Sequence, residues 1–184
     1  MLRWVQVSPK GDRVVFQSLG KPYVQELPGG RPKRLTKQDD HLEFYPSFSR
    51  DGRSIVYTTW DDEKLGAIRV VSATGGEGKV VSTRPGYYVE PALSPDGKSL
   101  VYRASGDGYL MPGQWSRETG LFVQPVSGGT PRRLARDGEQ PHFGVRSDRV
   151  YFLHVESKEK EDVRSLKSVG LDGSQERTHV TSAE

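Results

Sequence analysis

Histidine and carboxylate are the side chains of this sequence best able to do chemistry, and they gather around three prolines. Asp39, Asp40, His41 and Glu43 precede Pro46; Tyr87, Tyr88 and Glu90 precede Pro91; Glu139 and Gln140 precede Pro141, with His142 behind it. Brought together, His41, His142, Glu43, Glu90 and Glu139 would supply the imidazole and carboxylate donors that a metal or polar ligand takes, with Tyr88 beside them. The plainer alternative is a solvated acidic rim that hydrogen-bonds one structural unit to the next. Neither His-Glu-x-x-His nor a calcium-loop spacing occurs, so no metal and no cofactor is assigned. Gly-x-Ser-x-Gly is absent as well, and Ser8, Ser49 and Ser94 fall in turn sequences, which leaves no serine nucleophile and no catalytic residue to name. With no cysteine there is no thiol chemistry, disulfide or Cys-held metal, and with no asparagine there is no N-glycosylation site.

Each of those prolines opens a hairpin signature. The clearest is Pro91 to Tyr102, PALSPDGKSLVY, in which Pro95 presets φ, Asp96 suits the second central position and Gly97 accepts a left-handed conformation. Relatives of it run from Pro46 to Tyr57 with Asp51 and Gly52 in the turn, from Val5 to Phe16 with Pro9 and Gly11, and, in worn form, from Pro141 to Phe152. After each hairpin comes a third β-rich run (YVQEL, IRVVS, LFVQPV, LKSVGL), a glycine turn, and a short closing run (KRLT, KVVST, RRLA, THVT). The steps between copies, 41, 45 and 50 residues, suit propeller blades or helical solenoids, and the strand chemistry selects the former. The expectation is therefore an all-β propeller module over residues 1–184, with four-stranded antiparallel blades at about 2–38, 42–84, 87–136 and 138–182.

In a meander the first-to-second and third-to-fourth strand turns share one end, so the Ser-Pro-Asp-Gly and Gly-Gly turns form a structural face. Loops that vary between units fall at the other end, where function is expected. These are the acidic Trp60 to Gly66, the stretch from Ala104 to Gly120 with Tyr109, Leu110, Met111 and Trp115, and the charged run His154 to Ser165, expected as a solvated hairpin tip. The third-blade stretch reads either as a partner-binding loop or as a lid over the neighbouring blade. The connections carrying His41, Glu43, Tyr88, Glu90, Glu139 and His142 should crowd the channel mouth.

No segment is apolar enough for a membrane-crossing helix, and the N-terminus lacks the apolar run of a secretory signal. The net charge of +3 does not imply nucleic acid, because Lys33-Arg34 and Arg132-Arg133 recur at one place in the repeat, the rim strand, where basic residues blunt an exposed edge.

The hairpins PSFSRDGRSIVY and PALSPDGKSLVY, each followed by a glycine turn and a basic strand such as PRRLA, resemble the WD40-like repeats of TolB-type β-propellers, most of all those associated with amidohydrolases. The resemblance implies a non-catalytic scaffold or binding module, an accessory part of a larger hydrolase or a stand-alone protein-binding unit, with a protein partner or hydrolase domain beside it; an enzyme with its site in the propeller channel is the remaining alternative. It also implies a periplasmic or secreted location. Since propellers of this type generally have six or seven blades, four whole blades are expected to be part of a larger ring, with a small closed four-bladed ring or self-association through open edges as alternatives.

Overall fold

The computed structural model describes residues 1–106, 118–157 and 162–183. It is all-β: sixteen strands form four antiparallel sheets, each a four-stranded meander in chain order. Sheet 1 holds β1 (Arg3–Val7), β2 (Arg13–Ser18), β3 (Lys21–Glu26) and β4 (Lys33–Arg34), and sheet 2 holds β5 (Leu42–Phe48), β6 (Ser54–Trp60), β7 (Ala67–Ser72) and β8 (Lys79–Val80). Sheet 3 holds β9 (Tyr87–Leu93), β10 (Ser99–Gly106), β11 (Gly120–Pro125) and β12 (Arg132–Ala135), and sheet 4 holds β13 (Glu139–Phe143), β14 (Arg149–Ser157), β15 (Asp162–Gly170) and β16 (Arg177–Ala183). The first strands lie innermost, β1 against β5, β5 against β9 and β9 against β13.

Turn chemistry explains why serine recurs. In the first three hairpins the serine amide donates to the carbonyl of the next strand's first residues, and its hydroxyl takes back an amide, from Arg13, Ser54 and Ser99 at 3.0, 3.0 and 2.9 Å. The same hydroxyl donates to an acid, Asp12, Asp51 or Asp96, at 2.6–2.7 Å. Gly11, Gly52 and Gly97 close these turns at φ of 75°, 69° and 69°, where a Cβ would strain the backbone. Sheet 4 replaces this turn with Gly144 to Ser147, and Ser147 instead accepts the amide of Asp96 from sheet 3.

Sheets pack face to face in sequence, so a middle strand is covered on both sides and reads as a continuous apolar run. In β6, Ile55 and Tyr57 join Val15 and Leu35 of sheet 1, while Val56 turns the other way to Leu100 and Tyr102 of sheet 3. Val101, Leu121 and Leu134 then meet Val150, Phe152 and Val169 of sheet 4. Each such fully buried side chain contributes about 1.5–3 kcal/mol. Because the core is three successive seams, stability accumulates joint by joint.

Polar fastening of the joints is uneven. Between sheets 1 and 2, Gln6 Oε1 accepts the Phe48 amide at 2.6 Å, Arg13 donates to Gly52 O and Ala73 O, and at the rim Leu35 O accepts the Gly76 amide at 3.0 Å. Between sheets 2 and 3, Gln124 Nε2 donates to Val81 O at 2.7 Å and the Gly86 amide donates to Gly66 O at 3.0 Å. Between sheets 3 and 4, Glu90 Oε2 accepts the Gln140 amide at 2.9 Å.

Candidate functional site at the inner strands

Every innermost strand breaks its ladder at the same place. Register shifts fall between Arg3 and Gln6, Phe44 and Ser47, Val89 and Ala92, and Glu139 and His142, each marking a bulge. The residue ahead of the repeat start, Trp4, Tyr45, Glu90 or Gln140, takes φ of 49–54°, although none is glycine. Four sheets thus repeat one uncommon backbone conformation while placing four different side chains on it.

These side chains form a continuous track. The rings of Trp4 and Tyr45 lie 4.2 Å apart, and Arg3 covers Trp4 at 5.9 Å. Burial raises the Tyr45 pKa, and Tyr87 and Glu90 nearby add to the effect. Glu90 continues the track: besides the Gln140 amide it holds Arg103, whose Nε lies 3.0 Å from Glu90 Oε2 and whose other nitrogen reaches Glu139 Oε1 at 3.3 Å. Beside it Trp60 meets Tyr87 edge to face at 5.4 Å. Aromatic surface, two carboxylates and a guanidinium can grip a polar or aromatic segment of a partner.

The six residues singled out from sequence do not converge. Glu90 and Glu139 meet through Arg103 at the loop end of β9 and β13. His41 and Glu43 are buried between sheets 1 and 2 at 8 % and 0 % exposure, because strand alternation turns Glu43 into the seam. There Thr36 Oγ1 donates to Glu43 Oε2 at 2.6 Å, Lys21 Nζ lies 3.8 Å from the same oxygen, and His41 Nε2 lies 3.2 Å from Oε1. His41 Nδ1 is 2.8 Å from Asp40, and Lys21 also donates to Gln38 O and His41 O at 2.7 Å. Burial, with Glu43 close by, pushes the Tyr57 hydroxyl far above the usual tyrosine range. Tyr88 occupies the equivalent of Glu43 in the next joint, packed edge to face on Tyr102 with its hydroxyl donating to Arg84 O. His142 lies past the bulge, toward the opposite end, where a cavity of about 300 Å³ is lined from all four innermost strands by Gln6, Phe48, Leu93 and His142 among others.

Among the described residues no group of three or more His, Asp or Glu is placed to hold a metal ion. Tyr109, Leu110, Met111 and Trp115 lie outside the described residues. Sequence reading missed Trp4, Tyr45, Gln140 and Arg103; the signal that finds three of the bulge positions is adjacency to the repeated proline.

No protein-family model matches the chain. The Tol-Pal system protein TolB of Francisella tularensis subsp. tularensis (strain WY96-3418) is 28% identical over 133 residues, which are 72% of this chain and 28% of that protein. The chain thus spans little more than a quarter of the curated relatives it matches. The crystal structure of TolB from Acinetobacter baumannii superposes with a TM-score of 0.71 at 15% identity, covering 97% of this chain and 43% of that one. An oligogalacturonate lyase from Vibrio parahaemolyticus gives a TM-score of 0.73 at 8% identity, covering 97% and 53%. At those identities the likeness is one of fold, and the fold is that of a TolB-like β-propeller.

Proposed function

We propose that this TolB-like β-propeller is a non-catalytic protein-binding module that engages its partner at the loop end of the innermost strands. One observation carries the reading: the bulge geometry is constant in all four sheets, while Trp4, Tyr45, Glu90 and Gln140 differ in chemistry. A purely structural position would need only the backbone; variation on a fixed frame suits recognition. His41, Glu43 and Tyr88 support that surface from the seams.

Likeness to a Tol-Pal system protein supports a periplasmic location and names a first probe, the Pal protein of that system from Francisella tularensis. Calorimetric titration of the chain with Pal should give saturable binding, weakened about tenfold or more by Glu139→Arg or Tyr87→Ala, a loss of at least 1.4 kcal/mol. Both residues are about half exposed. Binding untouched by these changes but lost on Lys98→Glu, at the turn end, would sink the reading.

The hairpin resemblance to amidohydrolase-associated propellers supports a second reading, in which the blades accompany a hydrolase domain. Sequencing the coding frame on both sides of the chain tests it, and a frame without several hundred residues of metal-binding hydrolase removes it.

A further inference from the structure

The rim cations, explained above as edge protection, have surroundings at the first joint that edge protection does not require. Between sheets 1 and 2 lies a cleft of about 310 Å³ whose polar lining includes Arg13, Arg31, Lys33 and Glu26, with Val24 and Leu35 as an apolar wall. Arg13 is fixed in place, donating to Gly52 O at 2.8 Å and to Ala73 O at 3.4 Å, with its guanidinium over the Phe48 ring and its Nε 3.7 Å from Asp12 Oδ1, so it carries a partly offset charge and Arg31 and Lys33 are the principal cations. Arg34, also on the lining, is neutralised by Asp39 at 2.6 Å. Arg31 and Lys33, two residues apart on one side of the extended chain, are exposed. Neither has a carboxylate within ion-pairing distance among the described residues.

The third joint shows what the first one lacks. Arg132 pairs with Val123 in the register by which Lys33 pairs with Val24. In both joints the glycine turn of the following sheet sits against the rim strand. A Cβ on Gly173 would lie 3.5 Å from Arg133 O, and one on Gly75 would lie 2.8 Å from Leu35 O. In the third joint the residue ahead of that glycine is Asp172. Hydrogen bonds from Ser174, with the nearby Arg132 adding its field, hold the Asp172 carboxyl below the usual carboxylate range. In the first joint that residue is Thr74, a neutral side chain whose hydroxyl is bonded to Ser72. The position that supplies a negative charge at the third joint supplies none at the first, where the cations are more numerous.

We propose that the cleft between sheets 1 and 2 binds a doubly charged oxyanion, inorganic phosphate or a phosphate monoester, between Arg31, Lys33 and the fixed guanidinium of Arg13. A planar guanidinium presents paired donors to two phosphate oxygens, and lysine adds a point charge on a long stem.

The test is calorimetric titration of the intact chain with sodium phosphate, at constant ionic strength set with sodium chloride because exposed charges are screened. Saturable binding is expected, weakened about tenfold or more in Arg31→Gln/Lys33→Gln and retained in Lys33→Arg. It should be unchanged in Lys98→Gln/Arg146→Gln, which removes two exposed cations from the turns of sheets 3 and 4. Absence of saturable heat overturns the proposal, as does equal weakening in the remote pair. Binding confined to phosphatidic acid vesicles, with none to free phosphate, also overturns it, since the cleft would then not be the recognition element.

Discussion

Replacing Glu43 tests whether the first joint is fastened by its buried carboxylate. The side chain is fully buried and accepts from Thr36 Oγ1 at 2.6 Å, with Lys21 Nζ at 3.8 Å and His41 Nε2 at 3.2 Å. Glu43→Ala strands the Thr36 hydroxyl, itself 2% exposed, which alone costs about 1–3 kcal/mol. Lys21, 14% exposed, keeps its bonds to Gln38 O and His41 O but loses the carboxylate 3.8 Å away, and the truncation leaves a cavity. The costs overlap, so about 2–4 kcal/mol is expected in all. Glu43→Gln keeps an amide oxygen for Thr36 and should lose about 2 kcal/mol. Urea denaturation followed by tryptophan fluorescence measures both, and hydrogen exchange should show the loss of protection concentrated in β1–β4. Combining Glu43→Gln with Thr36→Val should give a coupling of about 1 kcal/mol, because the two share one hydrogen bond. A loss below about 1 kcal/mol for the alanine variant, or additivity within a few tenths in the double variant, refutes the fastening role.

Three further outcomes follow from the same geometry. Gly78→Ala puts a Cβ well inside contact distance of the rigid, fully buried Tyr57 hydroxyl and should cost about 1–3 kcal/mol, read as a lower urea midpoint. The Asp51 and Asp96 carboxyls are held below 3.8 chiefly by the Ser49 and Ser94 hydroxyls, so the stability they add is present above that pH and is lost as the pH falls through the folded-state values. Asp51→Asn/Asp96→Asn should flatten the acid limb of a urea-midpoint profile, and an unchanged limb would count against the turn bonds. Burial raises the hydroxyl pKa of Tyr57 and Tyr102, so their contribution is complete below the ordinary value of 10.0 and fades as pH rises beyond it. Absorbance titration near 295 nm should find two tyrosines that ionise only with alkaline unfolding; all eight titrating together in the folded state would contradict this.

The architecture was legible because its signals are local. Ser94, Pro95, Asp96 and Gly97 set a turn within four residues, and three turns of this kind with a worn fourth hairpin announce the repeat. The candidate site was less so. Glu43 reads from sequence as a channel-mouth residue, yet sheets packed on both faces offer no solvent side on which to place a charge, and its partners Lys21 and Thr36 come from another sheet. His142, one residue past Pro141, looked like a companion of Glu139; the intervening bulge re-aims the strand and sends it toward the turn end. The bulges themselves carry no glycine to mark them, and in the first sheet Val5 stands where the others have proline.

The unequal fastening of the three joints has a mechanical consequence. The first joint is tied at its inner end, mid-sheet and rim. The second is tied by Gln124 to Val81, by the Gly86 amide to Gly66 O at 3.0 Å and by the Arg84–Glu118 ion pair, and the third by Glu90, Arg103 and Ser147. An apolar seam resists separation strongly but resists rotation weakly, since burial has no direction. Under a bending load the array is therefore stiffest between sheets 1 and 2, and its compliance is shared by the two later joints, where Val56 and Ile68 face Leu100 and Tyr102 and where Val101 and Leu121 face Val150 and Phe152. A partner spanning Tyr45 and Glu90 would act as a splint across the second joint.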